Sequence, residues 1–322
     1  MTEYILGIDT SAYTTSIALT SIEGNEILVD KRKVLTVPAG QKGLRQQDAV
    51  FQHIKNFQEL YGEIEQNLKS IKIISVSSKP RNVENSYMPV FTVGQNYGKI
   101  IAKTLNCKYV EYSHQENHIA ASLISQYKDI NDNMLAIHIS GGTTEFLSVK
   151  KANKGYEAAI HGGSKDITFG QLIDRIGTLM EFPFPCGIHM EKYLESNSNI
   201  ESIKSPAISG ESYINLSGME NHYKNLYLSN NYSKGSIINS LFKYIAECIL
   251  HIISHIKCSC YFETVIIAGG VASNSIIRNF ILKKLNNEFN VIFSTKENSS
   301  DNAVGVSFLP IIDRWYNEIK TN

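Results

Sequence analysis

Ile8-Asp9-Thr10-Ser11-Ala12-Tyr13-Thr14-Thr15-Ser16-Ile17-Ala18 and Ile139-Ser140-Gly141-Gly142-Thr143-Thr144-Glu145-Phe146-Leu147 share one plan. Each leaves an apolar strand through a turn of small residues holding two threonines and returns as a second strand. Two copies this far apart read as an internal repeat and suggest two similar lobes, although strand–turn–strand is also a common unit that recurs without kinship. Around the first copy, Tyr4–Asp9, Thr14–Thr20 and Ile27–Val34 read as a strand and its hairpin partners. Val50, Ile54, Phe57, Leu60, Ile64 and Leu68 then recur at three- and four-residue spacing, which predicts a helix over Gln46–Leu68. A strand (Ile71–Ser77), a helix (Val93–Leu105), a strand (Lys108–Tyr112) and a helix (His114–Tyr127) close a first lobe, residues 1–130. The second, residues 131–322, opens with strands at Leu135–Ser140 and Glu145–Val149. Helices follow at Ile167–Met180, His189–Ser196 and Ile237–Ile256, then a buried strand running into the Gly269-Gly270 turn and a helix, and a last helix from near Ser300 to around Tyr316. Asn197–Lys234, rich in Ser, Asn and Tyr, reads as an insertion or long loop.

With 322 residues the chain exceeds what one hydrophobic core usually supports, so two lobes are expected. A formal net charge of zero excludes a global basic field for nucleic acid, so any RNA contact needs a local patch or a partner's charge. The odd number of cysteines, five, argues against a disulfide framework. Cys258 and Cys260 form a C-x-C pair without a second pair at zinc-site spacing, and read as buried or idle thiols. The first residues run straight into a strand without an export signal, and no apolar run reaches the roughly 18 residues of a spanning helix. A cytoplasmic protein with no membrane contact is expected.

Three small-residue turns follow strands. Such turns expose backbone N–H groups and hydroxyls that suit phosphate oxygens, and Gly141 and Gly142 let an anion approach the backbone closely. Gly269 and Gly270 can do the same or admit the flat face of a base. One such turn is most simply a tight turn; three together favour a nucleotide. In His114-Gln115-Glu116-Asn117-His118, the histidines lie four apart, so on a helix both imidazoles can reach one metal ion while Glu116 points elsewhere. Two surface histidines would read the same way. Two ligands leave a site incomplete, and Asp301, at the start of a predicted helix, is a candidate third; it is equally a candidate N-cap.

In order and spacing these motifs resemble the TsaD family, the tRNA threonylcarbamoyladenosine transferases, over nearly the full chain. The resemblance rests on Leu6-Gly7-Ile8-Asp9-Thr10-Ser11, His114–His118, Ser140–Thr144, Gly170–Arg175, Pro185-Cys186-Gly187, Gly269–Asn274 and Ser300-Asp301-Asn302. It implies an α/β chain of the two-lobed actin–hexokinase–Hsp70 ATPase type, with a nucleotide cleft and a metal site where the lobes meet. His114, His118 and Asp301 would hold one divalent transition metal, iron or zinc. Asp9 and Ser11 would be catalytic. Ile139, Ser140, Gly141, Gly142 and Thr143 would line the phosphates of an adenine nucleotide or threonylcarbamoyl-adenylate. Asp174 and Glu191 would take the ribose hydroxyls, and Gly187, Gly270 and Asn274 would frame the adenosine. The acceptor would be tRNA, reached with partner subunits, in a homodimer or a heteromeric complex.

The sequence also departs from the family. The first loop, typically Thr-Ser-Cys-Asp-Glu-Thr, reads Thr10-Ser11-Ala12-Tyr13-Thr14-Thr15, without its two carboxylates. Ser-Gly-Gly-His-Thr has become Ser140-Gly141-Gly142-Thr143-Thr144. A Gly-Pro-Gly-rich segment is replaced by Lys79–Glu84, and Gly-Gly-Pro by Cys186-Gly187-Ile188. A divergent transferase is the leading expectation. A carbamoyltransferase with another acceptor and a non-catalytic nucleotide-binding paralogue are the alternatives. The histidine pair argues against a sugar or acetate kinase, and no nucleophile–base set supports a protease.

Overall fold

β1 (Tyr4–Asp9) and β2 (Thr14–Ser21) are buried at every residue, as strands covered on both faces must be. They pair antiparallel from Tyr4↔Ser21 to Asp9↔Ser16, and the largely exposed β3 (Ile27–Val34) forms the edge beyond β2. On its other side β1 pairs parallel with β4 (Ile71–Lys79), and β4 with β5 (Lys108–Ser113), giving the order β3-β2-β1-β4-β5. Helices α1 (Gln46–Gly62), α2 (Phe91–Leu105) and α3 (His114–Leu123) belong to this unit. The helix expected to reach Leu68 stops at Gly62, where the bonds tighten to Glu63 N–H→Leu60 O and Ile64 N–H→Tyr61 O. Glycine is a poor helix former, and the tightened turn drops Ile64 fully into the core. The coordinates are a computed structural model that describes residues 2–11, 13–24, 26–37, 44–129, 132–197 and 200–321.

The second sheet joins β6 (Asn133–Ile139), β7 (Thr144–Lys151), β8 (Tyr156–Ser164), β9 (Tyr213–Ile214), β10 (Thr264–Ala268) and β11 (Asn290–Phe293) in the order β11-β10-β6-β7-β8-β9. β6 and β7 pair antiparallel, and β6 pairs parallel with β10, which pairs parallel with β11. Read from β8 to β11, this sheet repeats the strand order of the first, with the same antiparallel and parallel pairings around its central strand. The similarity of the two turns is therefore a similarity of whole sheets.

Around this sheet lie α4 (Phe169–Leu179), α5 (Cys186–Glu195), α6 (Ser217–Leu228), α7 (Lys234–Lys257) and α8 (Ser275–Leu285). α6 falls within the stretch expected to be a loop. Only Tyr223 of it is buried, and Asp166 caps it from outside by accepting the N–H groups of Leu216 and Ser217 at 2.8 and 2.9 Å. α7 is long and apolar enough to cross a membrane, yet 72% of its apolar window is buried in this unit's own core. It is a core helix.

The one-turn α9 (Lys296–Ser299) and the long α10 (Val304–Thr321) end the chain. One compact unit comprises residues 1–130, 151–157 and 297–322, and the other 131–150 and 158–296. Thus the tip of the β7–β8 hairpin and the C-terminal helix, which sequence order assigns to the second lobe, pack with the first sheet. Two glycines permit this. A Cβ on Gly7 would strike the Ala303 carbonyl, and one on Gly305 the carbonyl of Asn117 in α3. Pro310 lies inside α10 and cannot donate to Val306 O four residues back, but Ser75 Oγ of β4 donates to that carbonyl at 2.6 Å. The helix tolerates its proline because the sheet supplies the missing hydrogen.

Candidate metal centre and nucleotide cavity

α3 starts where a capping box fixes it. Ser113 Oγ accepts the Glu116 N–H at 3.2 Å, and Glu116 Oε2 accepts the Ser113 N–H at 2.7 Å. His114 is therefore the first helical residue and His118 stands one turn later, their Nε2 atoms 3.1 Å apart. Asp301 Oδ1 lies 3.5 Å from each Nε2. A tetrahedral ion with bonds of about 2.0–2.1 Å has edges of about 3.3–3.4 Å between ligand atoms, so the three atoms approximate one face of such a tetrahedron. Two imidazoles and one carboxylate suit zinc or iron and leave a position open.

Asp301 arrives on a pinned loop. Arg32 of β3 donates to Glu297 O at 2.5 Å and to Ser300 Oγ at 2.7 Å, and Asn298 Nδ2 donates to Ala121 O of α3 at 3.0 Å. Asn302 caps α10, its Oδ1 accepting the N–H groups of Val304 and Gly305 at 2.9 and 3.1 Å. The two roles open at this point of the sequence thus fall to neighbours: Asn302 caps and Asp301 faces the histidines.

Asp9, at the end of β1, is wholly buried and lies 2.9 Å from His114 Nδ1. A carboxylate there holds the hydrogen on Nδ1 and leaves Nε2 to face the metal position, as second-layer carboxylates do for metal-binding histidines. Burial favours the neutral acid, but the charge and hydrogen bond of His114, with the bond from Ser11, hold Asp9 below the usual carboxylate range. Burial likewise opposes the His114 imidazolium, yet Asp9 and Asp301 push its pKa up to about 10. Desolvation resists the charge on Asp301 as well, and the two histidines carry its pKa well below normal. Ser11 is buried beside Asp9, to which its backbone N–H donates at 2.9 Å.

Asn117, which sequence reasoning passed over, ties these parts together. Its Nδ2 donates to Asp9 Oδ2 at 3.1 Å and to Asn302 O at 2.5 Å, while its Oδ1 accepts the Val306 N–H at 2.6 Å. Glu116 stays off the metal position, as expected, and also steadies the β7–β8 hairpin, where its Oε1 accepts the Tyr156 N–H at 2.9 Å. The spacing Ser113-x-x-Glu116 was the available signal for its capping role. Ala12 lies outside the described residues. Tyr13, where the family has a carboxylate, is 43% exposed.

The expected nucleotide residues lie in the second unit. Between β6 and β7 the turn is closed by Ser140 N–H→Thr143 O at 2.9 Å and Thr143 N–H→Ser140 Oγ at 3.2 Å, and Thr168, the N-cap of α4, donates to Gly141 O at 2.8 Å. Among the described residues, the amides of Gly141 and Gly142 take no part in these bonds and can meet an anion. Beside the turn is a cavity of about 460 Å³ bordered by Gly141, Asp174, Gly187, Glu191, Gly270 and Asn274. Ile139, Ser140, Gly142 and Thr143 stand outside its lining.

Asp174 Oδ1 accepts the Cys186 N–H at the start of α5 at 2.8 Å, and Glu191 Oε1 accepts the Ser275 N–H at the start of α8 at 2.7 Å. Both carboxylates thus also hold helix ends, and Asn274 caps α8. Sequence reasoning missed Phe184, 77% exposed at the cavity edge, and Lys296, among the described residues the one cation of the lining. Added Cβ atoms at Gly141 and Gly142 meet nothing within 4 Å. The variant Gly141→Val should therefore fold and melt like the parent yet bind adenine nucleotides at least tenfold more weakly by calorimetry. Undiminished affinity would place the phosphates elsewhere.

The sequence profile of TsaD, tRNA N6-adenosine threonylcarbamoyltransferase, matches residues 47–308. The chain belongs to this family. Family relatives carrying the same name include one from Fervidobacterium nodosum, 26% identical over 94% of this chain and 91% of the relative, and one from Nanoarchaeum equitans, 25% identical over 98% and 94%. Among solved structures, Acidaminococcus fermentans (R)-2-hydroxyglutaryl-CoA dehydratase component A aligns with a TM-score of 0.55 at 15% identity, covering 97% of this chain and 98% of that one. HypF from T. kodakarensis aligns at 0.58 and 15%, covering 98% and 48%. A ROK family glucokinase from Streptomyces griseus aligns at 0.52 and 11%, covering 95% and 98%. At such identities these likenesses speak for the fold alone, and that fold is the actin–hexokinase–Hsp70 type.

Proposed function

We propose that this protein is a metal-dependent transferase that moves the threonylcarbamoyl group from its adenylate to the N6 amine of a tRNA adenosine. The observation that carries this reading is the His114–His118–Asp301 face, built to tetrahedral dimensions in a chain of the TsaD family. His114, His118 and Asp301 hold iron or zinc, which when bound supplies a Lewis acid for the carbamoyl carbonyl. Asp9 sets the His114 ring, and Ser11 and Asn117 set Asp9. The amides of Gly141 and Gly142 bind the adenylate phosphate, Asp174 and Glu191 take ribose hydroxyls, and Gly187, Gly270 and Asn274 frame the base beside Phe184. In the transfer, the exocyclic amine bonds to the carbamoyl carbon, the bond from that carbon to the phosphate oxygen breaks, AMP leaves, and the amine proton passes to solvent. The chain works in the cytoplasm with tRNA and partner subunits, in a homodimer or a heteromeric complex.

The first loop favours a slow enzyme when the chain acts alone. With Ala12, Tyr13 and Thr14 where the family carries two carboxylates, groups engaged in the transition state are missing, at a cost of about a hundredfold or more in rate. The test is modification of tRNA in a reconstituted reaction, together with complementation of a strain lacking the standard enzyme. Weak modification that partner proteins raise is the expected result. Full complementation at normal expression would show the carboxylates to be dispensable here. Nucleotide and metal binding with no transfer to tRNA under any condition would favour another acceptor or a non-catalytic role.

A further inference from the structure

We infer that the first unit holds a second ligand site, for a small amphiphilic anion, at the end of its sheet opposite the metal triad. β1, β4 and β5 run parallel, β1 ending at Asp9 and β5 leading into His114. Ile5, Ile73 and Val110 lie toward the starts of the same strands. There they floor a cavity of about 470 Å³, closed on one side by Ile311 of α10. This volume is in the range of small-molecule sites.

Three cations, Lys108, Lys154 and Arg314, stand around the apolar floor. Among the described residues none of them forms an ion pair with a carboxylate. Arg314 is oriented by one bond, Nη2 to Ile22 O at 2.8 Å, and the Lys154 ammonium stands 5.4 Å over the Tyr112 ring. One carboxylate, Asp313, also borders the cavity, but its charge is spent. Lys151 Nζ lies 2.7 Å from Oδ1, Gly155 N–H donates to the same oxygen at 2.8 Å, and Tyr112 OH donates to Oδ2 at 2.7 Å. The rim therefore presents three uncompensated positive charges over a greasy floor. Low-dielectric walls focus such a field on an anion, while the floor favours an apolar body. The ligand class is an organic phosphate, sulfonate or carboxylate with an aliphatic or aromatic tail.

The test uses the full chain with three probes in calorimetry: octanesulfonate below its micellar concentration, inorganic sulfate and octanol. Octanesulfonate is expected to bind one to one, at least tenfold tighter than either other probe, and more weakly as salt rises. Two variants should each weaken it at least tenfold: Lys108→Gln/Lys154→Gln removes exposed charge, and Val110→Phe fills the floor. Their melting temperatures report folding, and a variant that unfolds is replaced by Ile73→Phe or Arg314→Gln. Sulfate binding as tightly as octanesulfonate would leave only a cation patch, octanol binding as tightly would leave only an apolar crevice, and either overturns the site. Unchanged octanesulfonate affinity in both variants overturns it as well.

Discussion

His118→Ala is expected to lose its metal and about a thousandfold or more in tRNA modification while keeping its fold. The imidazole at position 118 supplies one of three donors, and the capping box of Ser113 and Glu116 and the Asp9–His114–Asn117 bonds that hold the start of the helix lie upstream and remain. A histidine and one carboxylate are a poor site for zinc or iron, so the ion should be lost on dialysis. A Lewis acid on a developing oxyanion is worth several kcal/mol, which sets the thousandfold scale. Elemental analysis of anaerobically purified protein should find near one equivalent in the parent and almost none in His118→Ala or in the His114→Ala/His118→Ala double variant. Equal metal content in parent and variants would sink the ligand assignment, whatever the activity.

The largest stability effect is expected at Asp313→Ala. The Lys151 and Asp313 side chains are only 5% and 12% exposed, and removing the carboxylate strands an amide and a phenol and leaves the ammonium on the Ala152 and Gly155 carbonyls without a counter-charge. Breaking a buried pair by deleting one partner costs about 3–5 kcal/mol. For a chain of this size that is a fall on the order of 10 °C in melting temperature. Hydrogen exchange should locate the damage, with the Gly155 amide losing protection first. Removing both charges together, as in Lys151→Met/Asp313→Leu, should recover part of the loss, because two apolar side chains need no mutual compensation. A single variant that melts within about 2 °C of the parent would mean the pair contributes no more than a surface bridge does.

How far the sequence reveals this architecture depends on whether a feature is local. The two strand–turn–strand copies are local patterns, and the sheets built on them follow the same order. The capping box before His118 is also local and readable. α6 was not, because its burial is confined to Tyr223 and its cap, Asp166, comes from 50 residues upstream. β8 was missed because its residues alternate only loosely between buried and exposed, and β11 because four residues carry little pattern. Nothing in the spacing of His114 and His118 points to a carboxylate near residue 300; Asp301 was a candidate only as an acid at a helix start, the family resemblance singled it out, and α10 packing on β1 brings it to the histidines. The place of α10 with the first sheet depends on bare backbone at Gly7 and Gly305, which periodicity does not report.

The return of the C-terminal helix to the first sheet also orders events during synthesis. Asp9 and the two histidines emerge from the ribosome long before Asp301, and the loop bearing Asp301 is held by Arg32, Asn298 and the cap of α10. A nascent chain can thus fold much of its first sheet and still lack Asp301. With the ligand set proposed above, metal loading is expected to be a late, nearly post-translational event, and a chain that stalls before α10 is expected to carry no tightly bound ion.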